Sequence, residues 1–110
     1  MIAAATHPRL CRADGREAER AAALVEIDRH LDNLRRCIHW LVGKGIAVIN
    51  CDLRRARHQP WITVAPSPYL YIVFGDDAAS VARQQEGAIE IVTWQANRHG
   101  CVIRWQEYSA

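Results

Sequence analysis

Residues 24–53, LVEIDRHLDNLRRCIHWLVGKGIAVINCDL, decide the fold. In the first half Leu24, Ile27, Leu31, Leu34, Ile38 and Leu41 recur at spacings of three and four, which lays one apolar stripe along a helix. Gly43 and Gly45 supply a residue able to take positive φ at the helix C-terminus. Beyond Gly45 the period drops to two, with Ala47, Ile49, Cys51 and Leu53 expected on one face of a strand. A helix that hands over to a strand in so few residues predicts an α+β domain with the helix laid on a sheet.

Towards the N-terminus, Ala18, Ala21, Ala22 and Ala23 favour helix. Asp14 and Glu17 have the spacing of a capping box. Residues 1–13 lack periodicity and are expected to form a flexible arm ahead of a single domain over 14–110. A helix over 15–42 would be about 42 Å long at 1.5 Å per residue. That exceeds what a compact domain of this size can cover, so its first turns should project, fray or kink. The stripe also reads as a heptad seam of only about two and a half repeats. Packing on a sheet is therefore favoured, with a homodimer left open.

Towards the C-terminus, Arg54-Arg55-Ala56-Arg57-His58-Gln59-Pro60 is a polar reversal and Trp61–Val64 a second strand, halted by Pro66-Ser67-Pro68. Tyr69–Phe74 is aromatic and β-branched, which predicts a third strand. Gly75-Asp76-Asp77 would then cap a short helix over Ala78–Gln85. Ile89–Gln95 and Cys101–Gln106 pair as a hairpin across Asn97-Arg98-His99-Gly100. The expected architecture is a long N-terminal helix on a small, mostly antiparallel sheet of four to five strands, closed by a C-terminal β-hairpin.

Composition narrows the function. The 110 residues are 50% hydrophobic and 24% charged, a globular balance with no apolar run of the length a membrane helix needs. The net charge of +2 divides unevenly. Residues 1–57 hold 11 basic and 7 acidic side chains, whereas 58–110 hold 3 and 5. This suits a protein partner or a slight nucleic-acid contact better than a dedicated DNA binder. Thirteen of the 14 basic residues are Arg, the better residue for bidentate contacts. Met1-Ile2-Ala3-Ala4-Ala5 lacks the charged and apolar regions of an export signal. A cytoplasmic protein with free thiols is expected, with Cys37, Cys51 and Cys101 buried as small hydrophobes.

Several chemistries fit poorly. Cys37-Ile38-His39 and His99-Gly100-Cys101 place one residue between potential zinc ligands, a spacing that diverges on a helix. Cys37 follows Arg35 and Arg36, which would favour a thiolate, yet it adjoins the core stripe. Asp52, Asp76, Asp77 and Glu90 have no accompanying Lys for metal-dependent nuclease chemistry, and Asp76 and Asp77 read as turn and cap residues. Gly43-Lys44-Gly45 matches no phosphate-binding loop. No cofactor, metal or catalytic group is expected. The sharpest polar feature is Arg54, Arg55 and Arg57 beside Trp61, a combination that grips phosphates and stacks bases or anchors a protein interface. A solvated turn explains the same residues. Trp94 and Trp105 are expected on one side of the final hairpin, packed on the sheet.

The run Trp40-Leu41-Val42-Gly43-Lys44-Gly45-Ile46-Ala47-Val48, then Gln59-Pro60-Trp61-Ile62-Thr63-Val64, then Gly100-Cys101-Val102-Ile103-Arg104-Trp105-Gln106-Glu107 resembles small accessory proteins of bacteriophages and prophages. The resemblance spans about residues 38–107. That group offers no catalytic residues to carry over. It includes host-directed inhibitors, anti-CRISPR proteins among them, that act by stoichiometric binding. The resemblance implies a non-enzymatic protein that binds a bacterial host protein or nucleoprotein complex. Arg54, Arg55, Arg57 and Trp61 are the expected contacts, with Arg35 and Arg36 as a second basic patch. The alternative is a single-stranded nucleic-acid binder using the same Arg loop.

Overall fold

The computed structural model describes residues 2–53 and 59–110, with side chains from Gly15 onward. The expected arm at 1–13 and the cap at Asp14 therefore lie outside the described side chains. Helix α1, Ile2–Gly43, leads into strands β1, Val48–Asp52, and β2, Trp61–Val64. A short helix α2, Tyr69–Phe74, and a 3-10 turn at Gly75–Asp77 follow. Strands β3, Ala79–Glu86, β4, Ile89–Arg98, and β5, Cys101–Ser109, complete the chain. The strands form one sheet in the order β1-β2-β5-β4-β3. Only the β2–β5 pair is parallel. The α+β class, the long helix on the sheet and the C-terminal hairpin are as the sequence predicts.

The helix stops for a local reason. Gly45 takes φ +79; its N–H donates to the Val42 carbonyl at 2.9 Å, and the Ile46 N–H donates to the Leu41 carbonyl at 3.0 Å. This pair of bonds is a Schellman motif, and its usual apolar contact is between Ile46 and Leu41, both buried in the core.

Two elements exchange identity relative to the sequence expectation. Tyr69–Phe74, expected as a strand, is helix α2. Pro68 enters it at φ −58, and Leu70 and Phe74, one helical turn apart, are both buried. Burial of that pair outweighs β propensity, which mainly measures fit to a pleated surface. Ala78–Gln85, expected as a helix, is mostly strand β3. It pairs along β4 from Ala79↔Gln95 to Glu86↔Ile89, through a two-residue loop whose first residue, Gly87, has φ +61. That positive φ suits the primed turns that match strand twist. The final hairpin turns at His99 and Gly100, with φ 52 and 73, and sets Trp94 directly opposite Trp105.

The core lies on one face of the sheet. Ile62, Val64, Ala96, Cys101, Ile103 and Trp105 meet Cys37 and Leu41 of α1 and Leu70 and Phe74 of α2. Phe74 stacks on Trp105 at 5.5 Å between ring centroids. Tyr71 meets Trp94 edge-on at 5.6 Å and donates its hydroxyl proton to Glu107. That bond pushes the Tyr71 phenol up to about 12, so its contribution persists below pH 10 and is lost as pH rises towards that value.

Helix α1 is used unevenly. Gly15–Val25 are all exposed, so the early turns project. Of the six stripe residues only Leu41 is fully buried; Leu24 is 59% and Leu31 45% exposed. The fully buried line runs instead through His30, Cys37 and Leu41, rotated around the helix from the stripe, with Leu34 and Ile38 partly buried against the core beside it. Cys51, expected in the core, is exposed. Cys51 pairs with core-facing Ile62 but lies near the end of an edge strand, and a register shift between Val48 and Asn50 sets half-buried Val48 on the core side in place of Ile49. Ile49, on the expected inner face, is exposed for the same reason.

His30 is buried, and neither ring nitrogen has a hydrogen-bond partner among the described residues. An unmade buried hydrogen bond is a penalty of about 1–3 kcal/mol. His30→Leu is accordingly expected to leave stability unchanged or raise it by about 1 kcal/mol, read from urea unfolding. A loss of that size would show that the imidazole contributes something its apolar replacement cannot.

Candidate functional site

Strand alternation sorts the side chains of the sheet. Ile62, Ile103 and Trp105 point to the helices. Trp61, Thr63, Val102, Arg104, Gln106 and Tyr108 alternate with them and share the opposite face, because Trp61 pairs with Val102 and Thr63 with Arg104. No helix among the described residues packs there.

The centre of this uncovered face is Arg104. Its guanidinium carbon lies 4.5 Å from the centroid of the Trp61 ring, the geometry of a cation–π contact. The Arg104 Nε is buried and without a hydrogen-bond partner among the described residues. Beside it the Gln106 amide donates to the Thr93 hydroxyl at 3.3 Å, and the Tyr108 hydroxyl donates to the Gln106 carbonyl oxygen at 3.0 Å. An open groove of about 310 Å³ runs over Thr63, Thr93, Arg104, Gln106 and Tyr108. Its walls set hydroxyl, amide and guanidinium groups beside the apolar Ile49, Val64 and Pro66 and an aromatic edge. They suit recognition through hydrogen bonds and stacking.

Of the residues expected from sequence, Trp61, Arg35 and Arg36 fall among the described residues. Arg54, Arg55 and Arg57 lie outside the described residues. Trp61 is half-buried on the uncovered face. Arg35 and Arg36 are exposed on α1, the helix that covers the other face. They therefore form no common surface with Trp61. Arg35 is paired with Asp32 at 2.8 Å, an exposed contact of small energetic weight. Arg104, Thr93 and Gln106 were not singled out by sequence reasoning. The usable signal was the alternation in Cys101–Tyr108, where apolar Cys101, Ile103 and Trp105 interleave with Arg104, Gln106 and Tyr108.

The other chemically notable pair is buried. Cys37 of α1 and Cys101 of β5 are fully buried in the same core cluster, and the Cys101 thiol donates to the His99 carbonyl at 3.8 Å. The neighbouring Cys37 thiol and burial push the Cys101 thiol up, so it stays protonated at neutral pH and is a poor nucleophile. His99, near in sequence, packs its ring against Trp40 at 5.4 Å. Among the described residues no group of three or more His, Cys, Asp or Glu is placed to hold a metal ion, and no helix is long and apolar enough to cross a membrane.

Comparison of the chain with family models, with curated proteins and with solved structures finds no match.

Proposed function

We propose that this chain is a non-enzymatic binding protein that docks a macromolecular partner on the uncovered sheet face, with the Trp61–Arg104 stack as its anchor. The observation that carries the reading is that stack itself, at 4.5 Å on a face that no helix among the described residues covers. Arg, Trp and Tyr are the residue types that dominate interface energetics; Arg104 and Tyr108 line the groove, and Trp61 lies against Arg104. Holding the guanidinium flat on the indole orders it before binding, which lowers the entropy lost on association.

Charge separates the two classes of partner. A nucleic-acid surface needs a positive excess to release counterions, and the chain carries a net charge of only +2. That modest charge favours a protein partner. The resemblance of residues 38–107 to phage accessory proteins directs the search to bacterial host proteins and nucleoprotein complexes, inhibitors of the anti-CRISPR kind included. Single-stranded nucleic acid is the second reading, favoured by the same stack, since every base has a face to lay on it.

The test compares the wild-type chain with a Trp61→Ala/Arg104→Ala variant in affinity capture from bacterial lysate, followed by titration against the identified partner. Loss of two anchors should weaken binding at least tenfold, about 1.4 kcal/mol or more, with unchanged circular dichroism. Unaltered affinity would reject this face as the contact. Oligonucleotide binding that falls steeply with salt would move the assignment to the second reading.

A further inference from the structure

We propose that α1 pairs with α1 of a second copy of this chain, antiparallel and centred on Leu31. This is a separate surface from the groove above and does not depend on it. The starting observation is the outer edge of the stripe, which the core leaves exposed at Leu24 and Leu31 and only partly buries at Ile38. Leu24 and Leu31 are 59% and 45% exposed, and Val42 is 61% exposed. At 100° per residue, Leu24, Asp28, Leu31, Arg35, Ile38 and Val42 fall within one strip about 80° wide, roughly a third of a turn from the His30–Cys37–Leu41 line that meets the sheet. An open groove of about 530 Å³ runs along this flank, and every described residue lining it belongs to α1.

The order of charges on the strip identifies the occupant. A two-fold axis at Leu31 sets Leu31 on Leu31 and Leu24 on Ile38, each seven residues from the centre. Asp28 then falls one residue, about 1.5 Å of rise, from the level of Arg35 in the other copy. The symmetry repeats this, giving two Asp–Arg pairs, one between the central apolar layer and each outer one, as an isologous interface requires. Parallel pairing would set Asp28 against Asp28 and Arg35 against Arg35. Arg35 already meets Asp32 of its own chain, and its five donors allow it to bridge both carboxylates. The projecting turns point the same way. Gly15–Val25 touch nothing that buries them, and a helix without tertiary packing is marginal in water. Pairing gives Leu24 a partner and extends the support towards those turns.

Sedimentation equilibrium and far-ultraviolet circular dichroism on the full chain, from micromolar concentration upward, test this. A monomer–dimer equilibrium is expected, with helicity rising as dimer forms. Leu31→Glu should leave a monomer whose spectrum matches the wild type at low concentration. Asp28→Arg alone and Arg35→Asp alone should each weaken self-association roughly tenfold, since each turns both ion pairs into repulsions. Mixing the two singly substituted chains should restore wild-type affinity. The guanidinium introduced by Asp28→Arg in one chain then meets the carboxylate introduced by Arg35→Asp in the other, which no effect within one chain can imitate. A monomer at every concentration overturns the proposal. So does a dimer indifferent to Leu31→Glu. Single charge reversals that dimerise as well as wild type would overturn the antiparallel arrangement.

Discussion

Trp105→Ala is expected to destabilise the chain by about 3–5 kcal/mol, the range for deleting a large aromatic from a packed core. Trp105 is fully buried. It stacks on Phe74 at 5.5 Å and faces Trp94 across the final hairpin. It therefore joins α2 to the two longest strands, and its loss removes contacts on both sides of that junction. Against a whole-domain stability of about 5–15 kcal/mol, a change of this size removes a large share of the total. Trp105→Phe provides the contrast. The indole Nε1 is buried with no partner among the described residues, so Phe gives up area while also removing an unsatisfied donor. A cost of only about 1–2 kcal/mol is expected. Urea unfolding followed by far-ultraviolet circular dichroism measures both. Equal costs for the two substitutions would show that the indole N–H finds a partner after all.

Leu41→Ala and Leu31→Ala should differ by about 2 kcal/mol or more, although both residues belong to the same apolar stripe. Leu41 is fully buried and is the C-terminal anchor of α1 against Ile46. Its truncation should cost about 2–5 kcal/mol, as for other buried leucines. Leu31 is 45% exposed. In the monomer its truncation should cost under about 0.5 kcal/mol, as at other surface positions. The comparison is made at low protein concentration, where association through α1 contributes nothing. Similar losses at the two positions would mean that the whole stripe is buried in the monomer, and would remove the exposed surface on which helix pairing rests.

The elements legible in the sequence were those whose signal is local or repeated. The C-terminal hairpin was readable because Ile89–Gln95 and Cys101–Gln106 flank turn residues that tolerate positive φ, and the turn indeed falls at His99 and Gly100. Strand β2 has the bounds the Pro66-Ser67-Pro68 stop implies. The end of α1 followed from its glycines. Tyr69–Phe74 and Ala78–Gln85 were misread because both are short, and in short segments tertiary contact outweighs propensity. Leu70 and Phe74 gain burial only if the backbone is helical, and β3 gains a ladder only because β4 presents a free edge. Trp61 was legible as a candidate contact from its chemistry. Arg104 was not, because it becomes notable only once the parallel β2–β5 pair lays its guanidinium over a ring far earlier in the chain.

The amino-acid order by itself determined that a long helix ends at two glycines and gives way to strands, that the chain closes in a hairpin, and that Leu24, Leu31, Ile38 and Leu41 share one side of that helix. Periodicity and turn chemistry act over a few residues, so they can be read without the rest of the molecule. Tertiary structure alone decided which part of the stripe enters the core, which sheet face stays open, and which distant side chains stack there. Those outcomes depend on how strands far apart in sequence lie side by side, and helix rotation against a sheet is set by total packing, which no local pattern encodes.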